Sequence, residues 1–167
     1  MKANTYLSAL FAVMLTGITA ISPMAAIAGE QENETASPSA KKPALDRSGQ
    51  PREGKASYYS EYFYGRTMAD GTPMDPDADI AASRTLPLGS VVEVTNLENG
   101  KSQVVEIRDR GPYIDGRIID LSPKVAKQLD MLEDGVVQVV VTPLEVPQAD
   151  GTVATGSGAA QEASSGK

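Results

Sequence analysis

The segment Val105-Glu106-Ile107-Arg108-Asp109-Arg110-Gly111-Pro112 carries a carboxylate at the end of a β-branched run. Strand alternation sets Val105, Ile107 and Asp109 on one face and Glu106, Arg108 and Arg110 on the other. The chain has no histidine and no cysteine, so imidazole and thiol catalysis are excluded and acid–base work falls to carboxylates. At the rim of a small barrel, above apolar neighbours, Asp109 is partly desolvated, the condition that suits a carboxyl group to general-acid work. The flanking arginines would oppose this only if they shared its face. Local sequence by itself favours a second role: Asp109 accepting backbone hydrogen bonds in the turn Asp109-Arg110-Gly111-Pro112, a common job for Asp before Gly and Pro.

Two loop-like, small-residue stretches accompany this segment, Gly65 to Thr72 and Ala81 to Gly89. Asp75, Asp77 and Asp79 alternate as in a calcium loop, but no turn glycine and no terminal glutamate in register complete that pattern, and a solvated acidic loop is expected. No metal or cofactor is expected. Tyr58, Tyr59, Tyr62, Phe63 and Tyr64 hold most of the aromatic residues of the chain. So dense a run cannot all point inward, so one or two should form a surface against which a flat sugar face can pack.

Elements that would position these residues follow from patterning. Ser90–Asn96 and Ser102–Arg108 are β-branched runs joined by Leu97-Glu98-Asn99-Gly100-Lys101, a hairpin in which Asn99-Gly100 supplies positive φ. Residues 136–142, 55–59 and 116–120 are further strand candidates. One helix is expected to begin at the N-cap Ser122, with Pro123 at its first position and Val125, Leu129 and Leu132 on one face, and to end near 129–131. Asp120, just ahead of that cap, reads as a residue of the helix start, where negative charge is favourable. Several short strands, one short helix and many Gly and Pro turns suggest a small β-barrel over residues 54–143.

Outside that domain, residues 1–28 read as a secretory signal peptide, with Lys2, an apolar run and the small-residue site Ala26-Ile27-Ala28. Residues 29–53 and 144–167 are rich in Pro, Ser, Ala and Gly or Glu with little to bury, and are expected to be disordered. With no cysteine there is no disulfide and no lipid-attachment residue. A net charge of −7 disfavours nucleic acid and anionic membranes as partners.

The motifs Gly54-x-Ala56-Ser57-Tyr58-Tyr59, Gly65-Arg66-Thr67-x-Ala69-x-Gly71, Ala81-Ala82-x-Arg84-Thr85-Leu86-Pro87-x-Gly89, Val94-Thr95-Asn96-Leu97-x-Asn99-Gly100-Lys101, Asp109-Arg110-Gly111-Pro112-Tyr113 and Gly116-Arg117-Ile118-Ile119-Asp120-Leu121-Ser122 occur in order. Together they resemble the rare lipoprotein A (RlpA) family. That resemblance implies a six-stranded double-psi β-barrel, a place at the cell envelope, and lytic cleavage of MurNAc-GlcNAc bonds in peptide-free glycan, leaving 1,6-anhydro ends. It assigns Asp109 as acid and base. The family's Glu and His positions are held here by Thr72 and Ser83.

A glycosidase that uses water needs two carboxylates, whereas in a lytic transglycosylase the C6 hydroxyl of the sugar attacks, so that one aspartate can serve twice. The resemblance therefore implies an exported, periplasmic or envelope-associated monomer acting on peptidoglycan glycan strands. Tyr58, Tyr59, Asp70, Thr72, Ser83, Arg84, Thr85 and Arg110 are its expected substrate contacts. The alternative is a non-catalytic glycan-binding or expansin-like module that keeps the groove without the family Glu and His.

Overall fold

The computed structural model describes residues 44–159. The signal peptide expected over residues 1–28 lies outside the described residues. Seven strands occur in the order β1 (Arg52–Tyr58), β2 (Ile80–Ala82), β3 (Val91–Asn96), β4 (Ser102–Asp109), β5 (Arg117–Leu121), then helix α1 (Pro123–Gln128), β6 (Val137–Pro147) and β7 (Val153–Thr155). In space the order is β1-β5-β2-β4-β3-β6-β7, and β1 also pairs with β6. That last pairing closes six strands into a barrel and leaves β7 as an addition on β6. β1 runs parallel to β5 and β2 parallel to β4, while β2 and β5 are antiparallel. These two interlocked parallel pairs make the barrel a double-psi β-barrel.

Alternation fills the interior. Val92 and Val94, Val105 and Ile107, Ile119 and Leu121, and Val137, Val139 and Val141 point into one cluster, which α1 seals with Val125, Ala126 and Leu129. Each such side chain contributes roughly 1.5–3 kcal/mol on full burial. The helix starts as expected: Ser122 Oγ accepts from Val125 N with Pro123 at the first turn. It stops at Leu129, and Asp130 turns to φ 57°. That turn shifts the register, so that Met131 is fully buried and Leu132, expected on the apolar face, is 42% exposed.

The β3–β4 hairpin also forms as expected, but only Gly100 takes positive φ. Asn99 does a different job. Its Nδ2 and that of Asn96 both donate to Leu129 O, at 2.9 and 3.0 Å, tying the hairpin tip to the end of α1.

Three expectations need correction. Residues 81–82, read as loop, belong to β2, a strand too short to show alternation and buried throughout. The segment 44–53 is not structureless: β1 begins at Arg52, and Asp46 N donates to Thr85 O. Nor is the chain structureless from residue 144 to 159, because β6 continues to Pro147 and β7 pairs with it. Ser157 N then donates to Gly49 O, so the two arms meet. Their Pro, Gly and Ser composition offers little to bury, but an existing sheet edge supplies the backbone partners that composition cannot reveal. Gly156 is the crux of this meeting, since a Cβ there would fall 2.1 Å from Pro143 O. Among the described residues no helix is long and apolar enough to cross a membrane.

Candidate active site

Ala82 pairs with Asp120 of β5 on one side and with Asp109 of β4 on the other, and Asp120 pairs in turn with Ser57 of β1. Paired residues share a face, so Ser57, Asp120, Ala82 and Asp109 form a row across four strands. The chain neighbours Ala56, Ile119, Leu121 and Ala81 of its first three members point into the core. The row therefore lies on the outer face of the barrel, not within it.

This placement overturns the alternation expected for Asp109. Ala81 pairs with Ile107 but Ala82 pairs with Asp109, so Arg108 is an extra residue. Such a bulge re-aims the side chain that follows it, and Asp109 leaves the inward row of Val105 and Ile107. What lies beneath it is a second apolar cluster of Tyr59, Met68, Met74, Ile80 and Ala82, built where the long connection from β1 to β2 folds over the outer face.

Asp109 is held on both oxygens. Oδ1 accepts from Ala69 N at 2.9 Å and Arg110 N at 2.8 Å, and Oδ2 accepts from the Tyr59 hydroxyl at 2.8 Å. The turn-acceptor role open on sequence is thus present, since Oδ1 accepts the Arg110 amide, in a carboxylate that stays half-buried. Burial, the hydrogen bond to Asp109 and the charges of Asp109 and Asp120 push the Tyr59 hydroxyl far up, so it stays a donor.

Asp120 is the residue that sequence reasoning assigned elsewhere. Its side chain does not serve the helix start; Oδ1 accepts from Ser57 Oγ, which also accepts from Arg117 Nη1 at 3.1 Å. Its other oxygen lies near Gly111, where a Cβ would stand 3.8 Å away. Burial raises the Asp120 pKa, against the Ser57 hydrogen bond and the Arg117 charge, and the Asp109 charge raises it further. Two aspartates about 10 Å apart at Cα, one strand on either side of Ala82, therefore sit in one electrostatic field. The signal in the sequence was Asp120 standing alone among the apolar residues of β5, with the same alternation that put Ile119 and Leu121 inside.

The remaining expected contacts divide. Asp70 Oδ1 accepts from the Thr72 amide and hydroxyl, and Asp70 Oδ2 meets Arg108 Nε at 2.7 Å. Burial pushes Asp70 up, but the two Thr72 bonds together with the Arg108 bond and charge hold it below the usual carboxylate range. Asp70 N also donates to Arg108 O, so Arg108 braces the turn whose Ala69 amide holds Asp109. Asp70 and Thr72 thus stand beside Asp109.

Tyr59 is buried under Asp109 and offers no sugar platform. Tyr58 faces the other way, packs on the core and donates to Leu132 O, and is not brought to the site. Ser83 is 2% exposed, its Oγ accepting from Leu86 N, so it has no surface to offer a substrate. Arg110 is turned from the row: Nη1 donates to Ser83 O and Leu86 O, and burial lowers its pKa against the charges of Tyr113 and Asp109. Thr85 faces the N-terminal arm, where its hydroxyl accepts from Arg52. Arg84 is half-buried. In the acidic loop, Asp75 accepts from Asp77 N and Asp79 pairs with Lys124. Among the described residues no cluster of three or more His, Cys, Asp or Glu could hold a metal ion.

A family model described as lytic transglycolase matches residues 52–141, the barrel that carries this row. The chain is 55% identical over 89 residues to a protein of Treponema pallidum (strain Nichols) named probable endolytic peptidoglycan transglycosylase RlpA, covering 53% of this chain and 28% of that protein. It is 44% identical over 93 residues to the endolytic peptidoglycan transglycosylase RlpA of Vibrio cholerae, covering 56% of this chain and 35% of that one. The chain thus spans about a third of the length of these curated relatives. Among solved structures it aligns with the apo expansin of Clavibacter michiganensis at 20% identity and a TM-score of 0.45, covering 60% of this chain and 53% of that one. Through its double-psi β-barrel and the motifs ranged along it, the chain belongs to the lytic transglycolase family.

Proposed function

We propose that this protein is an endolytic peptidoglycan lytic transglycosylase, cleaving MurNAc-GlcNAc bonds in peptide-free glycan to leave 1,6-anhydroMurNAc ends. The observation that carries the reading is the row Ser57-Asp120-Ala82-Asp109, which sets two half-buried carboxylates of unlike environment on one outer face of the barrel. A carboxyl that burial favours in its protonated form, next to one held by fixed donors, is a usual basis of paired acid and base roles. Asp120, which burial favours in its protonated form, donates a proton to the leaving O4 of GlcNAc as the C1–O4 bond breaks. Asp109, fixed by Ala69, Arg110 and Tyr59, accepts the proton of the C6 hydroxyl as O6 bonds to C1. Proton exchange with solvent then restores both. No water enters the bond cleavage, so neither carboxylate has to position one.

The setting of this activity is the cell envelope, reached by export and cleavage of the leader, with the domain working as a monomer without a lipid anchor. The curated relatives' names support the substrate class. Incubation of the purified chain with amidase-prepared, peptide-free glycan should release anhydro-ended fragments detectable by mass spectrometry. Intact strands after prolonged incubation would remove the enzymatic reading. One observation favours a second reading, a glycan-binding module: the family's His position is occupied by a buried serine. Retention on sacculi without any product would select it.

A further inference from the structure

Outside the carboxylate row, one exposed feature is both built and unexplained. The 3₁₀ turn Glu61–Phe63 lifts an aromatic ladder away from Asp109. Tyr59, bonded to Asp109, meets Phe63 edge-on with ring centroids 5.7 Å apart, and Phe63 meets Tyr62 edge-on at 5.2 Å. Over the Tyr62 ring lies the Arg66 guanidinium, 3.5 Å from its centroid. Tyr62 is nonetheless 66% exposed, so ring surface is left open. The backbone beneath is fixed in place, since Arg66 N donates to Phe63 O, Met74 N to Arg66 O and Gly65 N to Met74 O.

Charge makes the feature specific. In a chain of net charge −7, the ion pairs of the described residues join Arg52, Lys101, Arg108 and Lys124 to aspartates and do not include Arg66. An exposed guanidinium stacked on a ring keeps its hydrogen-bonding edge for a carboxylate from outside, and planar bidentate recognition of carboxylates is what arginine does best.

We infer that Tyr62 and Arg66 form a muramic-acid subsite beside the carboxylate row. The Tyr62 ring packs against a pyranose face, and the Arg66 guanidinium pairs with the free lactyl carboxylate exposed when the stem peptide has been removed. The inference rests on the glycan substrate proposed above and deepens it. A lactyl group in amide linkage to a peptide has no charge at that position, so this subsite distinguishes peptide-free strands from substituted ones. A homopolymer of GlcNAc lacks the lactyl group and engages only the ring.

The test measures binding and cleavage separately on the same samples. Calorimetric titration of the purified chain with amidase-prepared peptide-free glycan fragments, and with chito-oligosaccharides of matched length, is run for the parent, Arg66→Gln, Arg66→Lys and Tyr62→Ala. The parent should prefer the peptide-free glycan. Arg66→Gln should weaken that ligand roughly fivefold, in the range of a single charge-assisted contact at a surface, and leave chito-oligosaccharide unchanged. Arg66→Lys should keep part of the preference, and Tyr62→Ala should weaken both ligands alike. Both side chains are exposed, so far-UV circular dichroism and the melting temperature should match the parent for every variant. A parent without preference, or an Arg66→Gln protein that keeps the parent's preference, would overturn the subsite even where anhydro products form. Conversely, discrimination that depends on Arg66 in a protein yielding no anhydro product would support the subsite and sink the lytic reading.

Discussion

Asp109 and Asp120 differ in what surrounds them, and the difference has consequences for stability as well as for chemistry. Asp109 sits among donors, whereas Asp120 is desolvated and feels the Asp109 charge. A carboxyl whose folded pKa is raised binds its proton more tightly in the native state, so stability is full below the ordinary aspartate value and declines as pH rises through the raised one. Asp120→Asn should therefore melt a few degrees higher than the parent at pH 7, with the gain vanishing below about pH 4. A scan of melting temperature against pH reads this directly. The same variant, and Asp109→Asn, should each lower the rate of anhydro-product release by about a hundredfold or more, as expected for loss of a general acid or base. A variant with parental turnover would exclude that aspartate from the chemistry.

Among the elements, the bulge at Arg108 decides which way the candidate base faces, and the Arg108–Asp70 pair decides how firmly it is held. Arg108→Ala removes the brace on the turn that carries the Ala69 amide. It should cost about tenfold in turnover through misplacement of Asp109, with little change in the denaturation midpoint because the pair is near the surface. Equal losses of stability and turnover would instead mean a merely structural role. The N-cap of α1 presents the opposite case. Ser122 is fully buried, accepts from Val125 N and donates to Ala78 O at 2.6 Å. Ser122→Ala should cost about 1–2 kcal/mol in urea denaturation, a lost cap together with an unpaired carbonyl.

At the scale of the whole molecule, the barrel is closed by β1 against β6, and the two arms are laid over it afterwards. Gly156→Val would drive a side chain into Pro143 O and should free the C-terminal arm without opening the barrel. The expected result is faster amide exchange confined to β7 and residues 44–50, with the β3 and β4 amides protected as before. Exchange rising throughout the sheet would show that the arms are part of the cooperative unit.

Chain order and local pattern by themselves determined much of this protein. The Val-rich runs of β3, β4 and β6, the Asn99-Gly100 hairpin and the Ser122-Pro123 helix start are all local signals, because alternation, turn chemistry and capping act within a few residues. The motif order likewise carried the family and, with it, the barrel, and it pointed to Asp109 as the candidate acid and base. Only the tertiary structure decided the rest, and in each case the cause is a partner distant in sequence. β2 exists because β4 and β5 lie on either side of it, and the arms are ordered because a sheet edge was left for them. Tyr59 and Ser83 lost their expected surface once the β1–β2 connection and Arg110 folded over them. Asp120 entered the site because strand pairing carried it next to Ala82, 38 positions back along the chain, a neighbour that no local rule could name.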